Sequence, residues 1–192
     1  MNDPVEEAAR ALAAGLVVCL PTESTYGLAA DIRSAGALAR IAALKQARPV
    51  DAPYPLIAPD LAAARALARA WPPAADQLAA RYWPGPLTLV VPARADLPPE
   101  LVGPGGGVGV RVSSHPIAAA LARALGACIT ATSANRSGEP PATTVDTARA
   151  SFGDRIACYL DGGTCDGTPS TVVAVGEDGA LRVIRRGAVD PT

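Results

Sequence analysis

The sequence predicts a layered α/β sandwich built on a mixed β-sheet, and three observations predict it. Short apolar runs interleave with segments whose apolar residues recur at helical spacing, so strands alternate with helices. The last two runs, STVVAV (170–175) and LRVIRR (181–186), are joined by the turn EDG (177–179), so at least one pair of strands is antiparallel. No linker and no internal repeat divides the chain, and 192 residues are enough for one hydrophobic core, so 1–192 reads as a single domain.

The elements follow in order. Asp3 caps a first helix, Pro4 suits its first position, Glu6 completes a capping box and Gly15 ends it. The apolar run LVVCL (16–20) is a buried strand. Ser34 opens a second helix, with Leu38, Ile41 and Leu44 on one face. Pro49, Pro53 and Pro55 break that pattern before a short strand near Leu56 and Ile57. Two Ala-rich helices, about 60–70 and 74–82, lead to the strand LTLVV (87–91). A Gly-rich loop, with Gly103 and Gly105 to Gly107, precedes the strand VGVRV (108–112). A helix over 116–125 leads to the strand CITAT (128–132). After the polar loop SANRSGEPPATT (133–144), Thr143 or Thr144 caps a short helix. IACYLD (156–161), a Gly-rich loop and the closing hairpin complete the chain.

Composition excludes several classes. Hydrophobic residues are 49% and charged residues 18% of the chain, and the formal net charge is −1, which gives no support for bulk electrostatic attraction to nucleic acid. There is no signal-peptide pattern and no apolar run of membrane-spanning length, so a cytoplasmic location without membrane contact is expected. Cys19, Cys128, Cys158 and Cys165 lack metal-site spacing and read as reduced core residues.

Four polar segments each follow or end a strand: PTESTYG, LKQARP, TSANRSG and GTPST. Polar groups that converge at strand ends are how open sheets build ligand sites. Taken singly, each has a plainer reading. PTESTYG suits a hydroxyl-rich turn, SANRSG a loop held by Ser and Asn bonds to its own backbone, and Lys45 with Arg48 a solvated helix end. The usual catalytic devices are missing. The only His, His115 in SSHP, suits a helix start, and a Ser-His-Asp triad would depend entirely on it. GPGGG lacks the Lys-Ser/Thr of a phosphate loop and leads into a strand, so it reads as a flexible loop. What remains is chemistry by positioning, with cationic and hydroxyl groups around a polyanion.

In this order, PTESTYGLAAD, LKQARP, WPGPLTLV, VGVRV with SSHP, TSANRSG, PSTVV and IRRGA resemble the YrdC family over about residues 15–188. The resemblance implies an α+β, layered α/β/α fold, a twisted mixed β-sheet flanked by helices around a concave, positively charged ligand cavity. It implies synthesis of L-threonylcarbamoyladenylate and pyrophosphate from L-threonine, bicarbonate and ATP, with Mg²⁺ carried by the ATP and no metal held by protein side chains. The product would pass to the machinery that transfers threonylcarbamoyl to tRNA, forming N6-threonylcarbamoyladenosine at position 37. Weak tRNA binding is a further expectation. Two alternatives share the fold: a module that binds tRNA or double-stranded RNA, and a carbamoyl-transfer domain.

Carried over motif by motif, Lys45, Arg48, Ser133 and Asn135 match the family's catalytic Lys-x-Arg and Ser-x-Asn constellation. Arg48, Ser133, Asn135 and Arg185 are the implied ATP contacts. Ser24, Arg111, Thr130 and Ser170 are the implied threonine contacts, with Arg111 a bidentate partner for the carboxylate. Two departures stand out. LKQARP has two residues between Lys and Arg where the family has one, and Ala52 replaces a residue that is polar in many members. Residues three apart share a helical face. The extra residue therefore predicts a helix that continues through Ala47 to Pro49 and turns Lys45 and Arg48 to the cavity of Ser133 and Asn135.

Overall fold

Asp3 starts the first helix, α1 (Pro4–Ala13), in the computed structural model, which describes residues 3–46 and 52–191. Its Oδ1 accepts from the Val5 N–H at 2.9 Å, and Pro4 takes the first helical position. The expected reciprocal bond from Glu6 does not form among the described residues, so the cap is one-sided. Gly15, at φ +74°, turns the chain out of the helix. There follow β1 (Val18–Pro21), β2 (Tyr26–Ala29), α2 (Ala35–Lys45), β3 (Leu56–Ile57), α3 (Leu61–Arg65) and α4 (Pro73–Tyr82). Next come β4 (Leu87–Pro92), β5 (Gly107–Arg111), α5 (Pro116–Leu125), β6 (Ile129–Thr130) and β7 (Thr132–Ser133). The chain closes with α6 (Val145–Phe152), β8 (Cys158–Tyr159), β9 (Thr171–Val175) and β10 (Leu181–Arg185).

The strands form two mixed sheets where one was expected. The first runs β7-β2-β1-β8 and the second β10-β9-β4-β5-β3-β6. The division falls inside CITAT. Leu56 and Ile57 pair with Thr130 and Ile129 in the second sheet, whereas Thr132 and Ser133 pair with Leu28 and Gly27 in the first. Thr130 is fully buried at this crossing. Its Oγ1 donates to Leu28 O at 3.1 Å and accepts from Ala30 N–H at 2.9 Å, and its own N–H reaches Ala30 O. It thereby ties the second sheet to the first.

Two further differences have local causes. Residues 26–29, where the sequence suggests no strand, form one antiparallel to β1, so 22–25 is a hairpin turn. Thr22 N–H reaches Thr25 O at 3.1 Å, and Thr22 Oγ1 donates to the same carbonyl at 2.7 Å. The helix expected over 60–70 stops at Arg65, because the chain beyond it pairs with the end of β4. Arg69 N–H bonds Pro92 O and Arg94 N–H bonds Leu67 O, both at 2.9 Å.

β1 is buried on both faces. Cys19 joins a large core with Tyr26, Leu28, Leu38, Ile41, Leu87 and Leu89, and Val18 and Leu20 join a second with Leu12, Ile57, Leu121 and Ile129. α1 and α5 cover that second face, which makes the architecture layered. Leu12 and Leu121 are wholly buried there, each worth about 1.5–3 kcal/mol of apolar burial. All four cysteines are unpaired, and Cys158 alone is only part-buried. None of the described helices is long and apolar enough to cross a membrane.

Candidate active site

One face of the second sheet floors a cleft of about 1700 Å³. Thr88 and Val90 of β4, Gly107, Gly109 and Arg111 of β5, and Val172 and Ala174 of β9 line it, while Leu87 and Leu89 point the other way into the core. The hairpin turn and β7 supply a second wall with Ser24, Thr25 and Ser133. The GPGGG segment lines the cleft as a hydrogen-bonded turn, Gly106 N–H to Gly103 O at 2.8 Å, with Gly106 at φ +71°. The charged lining is strongly positive: Arg69, Arg94, Arg111, Arg182 and Arg185 against Glu177.

Arg111 is the most constrained of these cations. It is only 5% exposed, and its Nε, sealed from solvent, has no acceptor within hydrogen-bond distance. Its nearest counter-charge is Glu23 Oε2, 3.6 Å from Nε. Burial lowers the Arg111 pKa, and Glu23 offsets part of that. Glu23 Oε1 accepts from Ser113 Oγ at 2.8 Å, Ser114 N–H at 2.6 Å and Ser114 Oγ at 3.2 Å. Burial alone would push the Glu23 carboxyl up, but the Arg111 charge and these bonds outweigh it and hold the pKa below 4.5. A folded pKa below the unfolded one gives stability that is full above pH 4.5 and lost as pH falls through the folded value. Acid-unfolding curves of wild type and Glu23→Gln should therefore stay a constant distance apart above pH 4.5 and converge below it. Curves that converge at higher pH would contradict the depressed value.

Lys45 is bonded to the loop behind Ser133. Its Nζ donates to Ser133 O, Asn135 O and Asn135 Oδ1, each at 2.8 Å, with Ser133 Oγ at 3.5 Å. The side chain is 3% exposed and lies behind the cleft wall. Ser133 Oγ lies 2.6 Å from Asn135 Oδ1, and Asn135 Nδ2 donates to Glu139 O at 2.5 Å. In return, Ser137 Oγ donates to the Lys45 carbonyl at 2.6 Å. That bond caps the helix, and Gln46 leaves it at φ +38°. The expected continuation through Ala47 is thus corrected: α2 ends at Lys45. Arg48 lies outside the described residues. Ala52 is described but does not line the cleft.

Arg185 reaches the cleft through a β-bulge. Val183 pairs with Val173 but Arg185 with Val172, so Ile184 is an extra residue. Val183 packs on the core, and strict alternation would send Arg185 the same way; the bulge brings it to the cleft instead. Its Nε and Nη2 donate to Ser170 O at 3.0 and 2.8 Å, and Nη2 to Ser170 Oγ at 2.9 Å. Burial first, then the charge of Arg111, lowers the Arg185 pKa, so the two cations share one field. Thr88 Oγ1 lies 3.4 Å from Ser170 Oγ.

The structure therefore brings Ser24, Arg111, Ser133, Ser170 and Arg185 to one cleft, with Lys45 and Asn135 directly behind Ser133. Thr130 does not join them, because its hydroxyl is bonded between the sheets. Three contributors escaped the sequence reading. Thr88 sits in an apolar run, Glu23 among hydroxyls, and Tyr26 is a fully buried tyrosine whose OH donates to Gly163 O at 2.8 Å, holding the Gly-rich loop beside the turn. The chemistry such a site supports is binding of a carboxylate beside a phosphate-bearing ligand, with fixed donors aimed at the charge that develops.

Comparison with known proteins places this cleft in context. Residues 10–187 match the Sua5_yciO_yrdC family, described as telomere recombination. The chain is 42% identical over 171 residues to the threonylcarbamoyl-AMP synthase of Thiobacillus denitrificans, covering 88% of this chain and 89% of that one. It is 39% identical over 161 residues to the protein of that name from Nitrosococcus oceani, covering 84% and 86%. Among solved structures, P. abyssi Sua5 complexed with L-threonine superposes with a TM-score of 0.89 at 35% identity, covering 95% of this chain and 54% of that one. E. coli YciO superposes with a TM-score of 0.86 at 26% identity, covering 97% and 90%.

Proposed function

This chain belongs to the Sua5–YciO–YrdC family, and from that premise we propose that it is an L-threonylcarbamoyladenylate synthase, a nucleotidyltransferase. The observation that carries the reading is Arg111. A buried guanidinium whose Nε is turned to Glu23, in a cleft that it lines with Ser24, Ser170 and Thr88, is a prepared carboxylate site. The threonine-bound relative supports threonine as the amino acid.

The reaction joins three substrates. The threonine amine and bicarbonate give a carbamate and water; a carbamate oxygen then bonds to the α-phosphorus of ATP as the bond to pyrophosphate breaks. No enzyme nucleophile is needed, so positioning and electrostatics carry the catalysis. Arg111 grips the carboxylate, Ser24 and Ser170 flank the amino acid, and Ser133 faces the nucleotide. Arg185, bonded to Ser170, adds positive charge near both ligands. Arg48 remains assigned to the phosphates by its motif alone. Lys45 and Asn135 act through the loop that carries Ser133. Mg²⁺ bound to the phosphates would neutralise their charge. The hydroxyl and guanidinium lining suits a polyanion that brings its own metal. The product would supply a tRNA-modifying transferase in the cytoplasm.

Incubation with radiolabelled bicarbonate, threonine and ATP tests the reading. Label and AMP should enter one product with release of pyrophosphate, only when threonine is present. Turnover with carbamoyl phosphate in place of bicarbonate would favour carbamoyl transfer, and RNA binding without turnover would favour an RNA-binding module.

A further inference from the structure

We propose that Glu23 is a positioning residue that sets the orientation of Arg111 and thereby the affinity for the amino-acid substrate; the proposal rests on the synthase reading. Four observations point to it. Glu23 does not line the cleft, yet it sits between two residues of the site wall, Thr22 and Ser24. One carboxylate oxygen, Oε1, is clasped by Ser113 and Ser114, the segment that follows Arg111 in the chain. The other, Oε2, has no hydrogen bond and faces Arg111 Nε at 3.6 Å. Nε is itself fully sealed by protein, whereas Arg111 as a residue lines the cleft.

The geometry explains how the guanidinium is aimed. With Nε turned toward Glu23, the two terminal nitrogens are left for the cleft, the fork edge that takes a carboxylate in two parallel bonds. The carboxylate also offsets part of the cost of burying the Arg111 charge without touching the ligand. Because Glu23 belongs to the hairpin of the first sheet and Arg111 to the second, the pair fixes Ser24 and Arg111 relative to each other. His115 adds a further buried atom beside this cluster, Nδ1, which has no hydrogen bond.

Glu23→Gln is the informative variant. Its amide oxygen can still accept from Ser113 and Ser114, which would leave an N–H₂ group facing the Nε–H of Arg111. Donor then meets donor, and the guanidinium must turn. We expect threonine affinity by calorimetry to fall about tenfold while ATP affinity holds. In ¹⁵N-labelled protein, the Arg111 Nε–Hε signal should exchange slowly with water in the wild type and faster in Glu23→Gln. In an Arg111→Lys background, which has no fork to aim, Glu23→Gln should cost threonine binding little more. An unchanged Nε–Hε signal would overturn the proposal, as would equal losses of threonine and ATP affinity or losses that add in the double variant. If wild type binds no threonine while the Nε–Hε signal still responds to Glu23→Gln, the synthase reading fails and the positioning of Arg111 by Glu23 stands.

Discussion

Replacing Lys45 with Met is expected to destabilise the fold by about 1–3 kcal/mol and to abolish turnover in the molecules that remain folded. The first effect follows from the hydrogen bonds. Met fills the space of the Lys stem but removes the donor that Ser133 O, Asn135 O and Asn135 Oδ1 each have at 2.8 Å. Asn135 N–H still reaches Ser133 O and Ser133 Oγ still donates to Asn135 Oδ1, so the main loss falls on Asn135 O. A buried acceptor left unsatisfied costs roughly 1–3 kcal/mol. For a chain of this size, each kcal/mol moves Tm by about 2–4 °C, so a drop of roughly 2–12 °C should be visible by calorimetry. The second effect follows because Ser133, the residue of this group that lines the cleft, is placed by the loop that Lys45 holds. The alternative has a different signature. If Lys45→Met keeps its Tm and loses only ATP affinity, Lys45 contacts the phosphate directly and its bonds to the loop are incidental.

This distinction was out of reach of the sequence. LKQARP and TSANRSG could be paired by their motifs, but spacing cannot say whether a cation between two polar segments faces a ligand or faces one of the segments. Elements whose signals are local were legible. The Asp3, Ser34 and Thr144 caps, the Pro-led helices α4 and α5, and the hydrophobic strands β1, β4 and β9 all lie at or near their expected places. Misreadings arose where long-range pairing overrides local pattern. CITAT is continuous in sequence, but Thr130 must satisfy Leu28 and Ala30 while Thr132 pairs in register with Leu28 from the other side of the crossing. That demand splits the strand and keeps the Thr130 hydroxyl between the sheets. The hydroxyls of PTESTYG likewise serve two purposes. Thr22 closes the hairpin turn with Thr25, whereas Ser24, two residues on, is buried against the cleft. Glu23 was invisible because its role is defined by Arg111, Ser113 and Ser114, some 90 residues away.

Arg111→Ala should cost about 2–5 kcal/mol of threonine binding, the range for removing one partner of a buried charge pair, with ATP binding far less affected. The size follows from burial. At 5% exposure the guanidinium works at low dielectric, where water cannot replace it as a partner for the carboxylate. Stability should change less than binding, because two opposing terms meet. The variant removes a buried cation whose desolvation Glu23 offsets only in part, which is a gain. It also removes the charge that helps hold the Glu23 carboxyl ionised, leaving that group supported by its own backbone N–H, Ser113 and Ser114. Burial, the largest influence on Glu23, would then act against fewer opposing contributions, and its pKa should rise. The stability linked to Glu23 should accordingly start to fall at a higher pH in Arg111→Ala than in wild type. Calorimetry with threonine and with ATP, together with acid unfolding of the same variant, separates these effects. A folded Arg111→Ala protein that binds threonine as wild type does would remove Arg111 from the site, and with it the observation on which the synthase reading rests.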